Sequence, residues 1–169
     1  MEALLTLIDK RRTLQRGELL KKEGSIDTHV YYIEEGSLKI YFMDGIHEQI
    51  IRFGYRTNLV VALDSFLEDK PSPLIIEAIK KVTIGIIPKQ RIMEFFEEGR
   101  EQQQLWINIL QSLVMQQLDR EMDILTTSPE ERYRRVLQRS PQLFQEVPNR
   151  YIANYLRMSA ETLSRLKKS

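Results

Sequence analysis

The sequence predicts an α+β chain with a β-rich first half, a long uninterrupted helix and a helical C-terminal unit. Three observations carry this. From Arg11 onward, short apolar runs recur about every ten residues, punctuated by Gly17, Gly24, Gly36, Gly45 and Gly54. Glu101 to Leu125 contains neither Gly nor Pro, and its apolar residues are spaced at three or four. Beyond Thr126-Thr-Ser-Pro129 the pattern breaks into several short helical segments. The expected division is residues 1–100 as a β-roll, 101–127 as a central helix and hinge, and 128–169 as a helix-turn-helix unit.

Composition narrows the function classes. At 169 residues with 42% hydrophobic content the chain can bury a real core. It has no cysteine, which rules out disulfides, thiolate catalysis and cysteine-ligated metal or iron–sulfur clusters. Apolar runs such as Leu59 to Leu63 are far too short to span a bilayer, and the N-terminus has no signal-peptide pattern. The expectation is a soluble cytoplasmic protein without a membrane partner. Charge is uneven: Pro129 to Ser169 holds nine Arg or Lys against four Asp or Glu, and the preceding residues hold sixteen against twenty. That asymmetry points to nucleic acid at the C-terminal end.

Met1 to Lys10 reads as a short helix. Strands are predicted at Val30–Ile33, Leu38–Met43, Glu48–Phe53, Leu74–Ile79 and Val82–Ile87. Asp44-Gly45 is a strong hairpin signal, with positive φ expected at both residues. Pro88 closes the roll, and Lys89 to Glu98 reads as an amphipathic helix with Ile92, Phe95 and Phe96 inward. In the long helix, Trp106, Leu110, Leu113, Leu118, Met122 and Leu125 form one stripe. Around Leu105 to Met115 the apolar face is wide enough to cover two surfaces, the β-roll and the same helix of a second copy. The plainer alternative is a helix buried wholly within its own chain. The expected dimer interface is Trp106, Leu110, Leu113, Leu118 and Met122.

Ser128, Pro129 and Glu131 make a good helix start, so Thr126–Pro129 is expected to be a hinge. Glu130 to Arg139 should turn Tyr133, Val136 and Leu137 inward, with Leu143, Phe144 and Val147 packing the following loop. Asn149 is predicted to cap a helix from Arg150 to Leu156, and Ser159 to cap a second from Ala160 to Lys168. Ala153 lets the two approach, while Leu156 and Leu163 fill the angle between them. The outer face of the last helix then offers Ser159, Glu161, Thr162, Ser164, Arg165, Lys167 and Lys168, side chains suited to base edges and phosphates. An ordinary helical hairpin with a solvated basic face is the alternative.

The run Tyr151-Ile-Ala-Asn-Tyr-Leu-Arg-Met-Ser-Ala-Glu-Thr-Leu-Ser-Arg165 resembles the helix-turn-helix of the Crp/Fnr transcriptional regulators. Ser159, Glu161-Thr162 and Ser164-Arg165 match the family's recognition-helix signature. The likeness extends through Glu130-Glu-Arg-Tyr133 and Val147-Pro148, and is strongest to the short Bacteroidetes-type members. The Gly36 turn and the following hairpin likewise resemble the family's cyclic-nucleotide-binding jelly roll. Arg157 stands where the family usually has glycine, at positive φ, and Ala160 stands where it has arginine. The unit is expected to lack the wing that usually follows the recognition helix. The resemblance implies a homodimer reading near-palindromic double-stranded DNA, with RNA polymerase as a further partner.

The same resemblance implies a degenerate sensory pocket. Val61 and Ala62, before Leu63, replace the family's ribose-binding Gly and Glu. Ser72 and Pro73 replace the Arg-Ser pair that meets the cyclic phosphate. An anion stranded there costs several kcal/mol, so cyclic AMP is not expected to bind, and any small-molecule effector is unknown. His29 and His47 are expected at strand ends on the surface, with no metal and no cofactor. No nucleophile–base pair, Gly-rich phosphate loop or paired carboxylate appears; Asp64, Glu68 and Asp69 read as solvated loop and helix-end charges. The chain is not expected to be an enzyme. The rival function is a ligand-sensing or protein-interaction module with a vestigial helix-turn-helix.

Overall fold

The computed structural model describes residues 2–168, which fall into two compact units, one up to Met93 and one from Glu94 onward. The first begins with a short helix α1 (Glu2–Leu5) and continues as strands β1 (Lys10–Leu14), β2 (Leu19–Lys21), β3 (Val30–Glu35), β4 (Ser37–Asp44), β5 (His47–Tyr55) and β6 (Leu59–Val60). A one-and-a-half-turn helix, α2 (Leu63–Glu68), precedes β7 (Ile75–Ala78) and β8 (Val82–Ile87). All pairings are antiparallel. They build two four-stranded sheets, β1-β8-β3-β6 and β2-β7-β4-β5.

Alternation along the strands explains the core. Leu38 and Ile40 of β4 point inward with Ile76 and Ala78 of β7, and meet Ile33, Val82 and Ile84 of the other sheet. Fully burying each large aliphatic side chain contributes roughly 1.5–3 kcal/mol. The opposite face of β4 is buried as well, and it is charged: Lys39 Nζ lies 2.6 Å from Glu48 and 3.2 Å from Glu77, to which the Tyr41 hydroxyl also donates. Gly36 links β3 to β4 at φ +88°, where a Cβ would collide with the Lys81 carbonyl oxygen. No other residue fits that turn.

The hairpin after β4 differs from the sequence expectation by one position. Asp44 pairs with His47 as a strand residue, so Gly45 and Ile46 are the two loop residues. Only Gly45 has positive φ there, at +60°, the pattern of a turn that takes glycine first. Asp64 and Glu68 belong to α2, and Asp69 ends it in the left-handed region at φ 54°.

Helix α3 (Lys89–Glu97) leads into the second unit, with Ile92 and Phe96 buried. There α4 (Arg100–Leu125) is followed by α5 (Pro129–Arg139), α6 (Leu143–Glu146), α7 (Asn149–Tyr155) and α8 (Ala160–Leu166). On α4, Leu105, Trp106, Ile109, Leu110 and Leu113 are half-buried, and the Trp106 ring lies 4.9 Å from that of Phe96. Ile107, Val114, Met115, Leu118, Met122 and Leu125 are exposed, Val114 at 68% and Leu125 at 72%. Of the five residues expected at a dimer interface, Leu118 and Met122 therefore lie on the exposed stripe, and Trp106, Leu110 and Leu113 on the half-buried side. No helix among the described residues is long and apolar enough to cross a membrane.

Candidate nucleic-acid interface

Helices α7 and α8 pack through Ile152, Ala153, Leu156 and Leu163, all at most 3% exposed. Ser159 accepts from the Thr162 amide at 3.1 Å and so caps α8 as expected, while its hydroxyl also meets that of Thr162 at 3.0 Å. These two hydroxyls are therefore occupied with each other. Glu161, Ser164, Arg165 and Lys168 are exposed on the outer face. Lys167 is exposed too, but its ammonium donates to Asn149 Oδ1 at 2.9 Å. That bond explains a correction: Asn149 does not cap α7. Pro148 occupies the cap position, and Asn149 is the first helical residue, its side chain taken by Lys167.

The turn between the two helices carries Arg157 at φ 54°, the left-handed conformation that costs an L-residue roughly 1 kcal/mol. Its support comes from α5. Arg132 Nε donates to the Leu156 carbonyl at 2.9 Å and Nη2 to the Arg157 carbonyl at 3.1 Å. Nη1 donates to Thr126 at 2.6 Å and Thr127 at 3.2 Å. At the same end of α4, Asp123 is fully buried and accepts from Arg135 Nε at 3.1 Å and from Arg139. Arg120 is buried with its guanidinium carbon 3.7 Å from the Tyr155 ring centroid, and burial pushes its pKa down. Ser128 caps α5 through the Glu131 amide, and Tyr133 meets Phe144 edge-on at 5.4 Å. Sequence reasoning missed the roles of Arg120, Asp123, Arg132, Arg135 and Arg139; Arg132 falls in the Glu130–Tyr133 run of the family resemblance, and no local pattern marks the other four.

In the first unit, the residues expected to form the degenerate pocket sit around α2. Ala62 precedes the helix and is buried, Val61 and Leu63 are half-buried, Ser72 is buried and Pro73 exposed. Ser72 is held from every side. Its amide donates to Ser25, its carbonyl accepts from Gly24, and its hydroxyl accepts from the Leu74 amide. Lys21, only 2% exposed, places Nζ on the carbonyls of Lys22 (3.0 Å), Ser72 (3.1 Å) and Leu74 (2.7 Å). Those three bonds use all the donors an ammonium has, and burial lowers its pKa. Nearby, Asp27 accepts from His29 Nδ1 at 3.1 Å and from the Tyr31 hydroxyl at 2.7 Å. Burial first, then Asp27, pushes the Tyr31 pKa up. The Asp27 amide in turn donates to Ser65 at 2.9 Å. His29 is half-buried against that carboxylate, and His47 is exposed at the start of β5.

Residues 11–99 match the family model of the cyclic nucleotide-binding domain, so the chain belongs to that family. In fold the chain is similar to solved Crp/Fnr regulators, with a jelly-roll-like domain followed by a long helix and further helices. FixK2 from Bradyrhizobium japonicum superposes with a TM-score of 0.76 at 17% identity, over 94% of this chain and 82% of that one. The c-di-GMP responsive global regulator CLP of Xanthomonas campestris gives 0.65 at 16%, over 99% and 88%. The Thermus thermophilus catabolite activator protein gives 0.59 at 17%, over 99% and 80%. No curated protein sequence matches the chain.

Proposed function

We propose that the protein is a homodimeric, DNA-binding transcriptional regulator of the Crp/Fnr type, cytoplasmic and without enzymatic activity. One observation carries the reading: α7 and α8 pack as a tight pair, and the outer face of α8 presents Glu161, Ser164 and Arg165 to solvent, with Lys168 exposed just past its end. Glu161 and Arg165, four residues apart, share one helix face. Glu161 suits a cytosine amino group and Arg165 a guanine edge or phosphate. Lys168 serves the DNA backbone. Ser159 and Thr162 set the start of the helix, and Lys167 divides its ammonium between Asn149 and whatever lies beyond.

The second copy docks on the exposed stripe of α4 that includes Ile107, Val114, Leu118, Met122 and Leu125, which sets two reading helices on half-sites about one turn of duplex apart. The target is then near-palindromic, and RNA polymerase is the partner the regulator acts upon. The first unit keeps the family's roll but not its anion chemistry, so its effector is not a cyclic nucleotide. A gel shift with the DNA upstream of the protein's own coding region, at two salt concentrations, tests the reading. Specific, salt-sensitive retardation is expected; its absence at both concentrations would favour the rival sensing module with a vestigial helix pair.

A further inference from the structure

We propose that Arg132 is the positioning residue of the reading helix: its single guanidinium pins the left-handed turn before α8 to the end of α4, so that the Thr126–Pro129 link is a latched joint. The proposal rests on the reading of α7 and α8 as the DNA-binding pair. Carbonyls at the end of a helix lack intrahelical partners, and here two such ends meet. Thr126 and Thr127 follow α4, while Leu156 and Arg157 follow α7. A planar fork with five donors can join them; a lysine ammonium, with no plane, cannot hold both pairs at once. All three Arg132 nitrogens are engaged, over 2.6 to 3.2 Å. The side chain is half-buried, so it acts through the turn and not by touching a phosphate.

The consequence runs directly into α8. Arg157 lies two residues before the Ser159 cap, so fixing the Leu156 and Arg157 carbonyls fixes the direction in which α8 leaves the turn. Beside it, Asp123 with Arg135 and Arg139 ties α5 to α4 at a second point. With both ties closed, α4 and the reading pair move together, and a swing at Thr126–Pro129 first requires Arg132 to release its carbonyls.

The test uses the full chain and a duplex of about 30 base pairs that the wild-type protein selects from a random library, against a scrambled duplex. Arg132→Ala and Arg132→Lys should each lower the ratio of selected to scrambled affinity about tenfold, since a misaimed helix loses its hold on the bases before its hold on the phosphates. The salt slope should stay at the wild-type value, because every phosphate neutralised by the wild type is still neutralised. Amide exchange should quicken over residues 156–163 in Arg132→Lys, which keeps the charge if Arg132→Ala does not fold. Arg157→Gly should restore part of the ratio in the Arg132→Lys background and change it less than about twofold alone, because glycine holds the left-handed turn unaided.

An unchanged ratio in both Arg132 variants overturns the proposal, as does unchanged exchange over 156–163. A shallower salt slope would make Arg132 a phosphate ligand and overturn it too. If the wild-type chain selects no duplex, the DNA-binding reading fails, and the exchange measurement still decides whether Arg132 holds the turn.

Discussion

Around Ser72 the first unit holds a buried ammonium with nothing left to offer, whereas the outer face of α8 holds charged groups with nothing yet to bind. Lys21 has each of its three donors on a backbone carbonyl. Glu161 and Arg165 face solvent on α8, and Lys168 does so just past its end. The two regions come from one chain, and burial decides between them. A cation taken out of water must be satisfied from within, and once satisfied it is structure. A cation left in water at a helix surface stays available, and its desolvation is settled only when a partner arrives. The second unit makes the same division within itself: Arg132, Arg135 and Arg139 are spent on Asp123 and on carbonyls, while Arg165 is not.

The largest expected effect falls on assembly. Val114→Asp together with Leu118→Asp would place charge on the exposed stripe of α4, the seam of the proposed dimer, where it would be buried among apolar side chains. Light scattering should then report a monomer, and operator affinity should collapse because each half-site is weak alone. A dimer that survives the double change would put the seam elsewhere on the chain.

Next comes the buried carboxylate. Asp123→Ala leaves Arg135 and Arg139 facing each other across an emptied site, and removing one partner of a buried ion pair costs about 3–5 kcal/mol. Because both arginines keep about a quarter of their side-chain surface exposed, water recovers part of the loss, and the lower end of that range is expected. Urea unfolding of the full chain reads it. A loss under about 0.5 kcal/mol, the size of a plain surface change, would mean the arginines are not held by Asp123.

How far this division was legible in the sequence follows from the range of each interaction. Ser159 and Ser128 announce their helices because a cap acts over three residues. The apolar runs that recur about every ten residues announce a β-roll because strand patterning is local as well. Strand β1 is invisible because Lys10, Arg11, Arg12 and Thr13 are all exposed at the sheet edge and only Leu14 is buried. Asn149 misleads because local preference favours a cap, while its side chain is engaged by Lys167, eighteen residues away. Arg132 reaches Leu156 across twenty-four residues, and Lys21 reaches Leu74 across fifty-three. No periodicity encodes such pairs; only the folded chain brings them together.

A smaller effect sharpens the contrast between spent and available cations. Arg165→Ala should cost about 1–3 kcal/mol on the selected duplex and relax preference at one base position in each half-site. Lys168→Ala should weaken all duplexes about equally and flatten the salt slope by roughly one unit for each phosphate no longer neutralised. Fluorescence titrations at several salt concentrations separate the two. If both substitutions act alike on selected and scrambled DNA, Arg165 is not reading a base.

The smallest effect, expected to be none, tests the first unit. Cyclic AMP or cyclic GMP at millimolar concentration should leave the melting temperature unchanged, where a ligand at a hundredfold excess over its Kd would add about 2.7 kcal/mol. A phosphodiester seated beside Ser72 would meet an amide that already donates to Ser25, which leaves it only the one hydroxyl proton and no cation. The nearby ammonium could turn to it only by giving up one of the three carbonyls it now holds. Asp27 and Asp64, both within electrostatic reach of Lys21, add repulsion. Ser72→Arg supplies the missing guanidinium but not its space, so cyclic nucleotide should fail to stabilise that variant as well. A clear upward shift for the unsubstituted chain would show that backbone amides alone can hold the phosphate here, and would return the first unit to the same use of charge as the second.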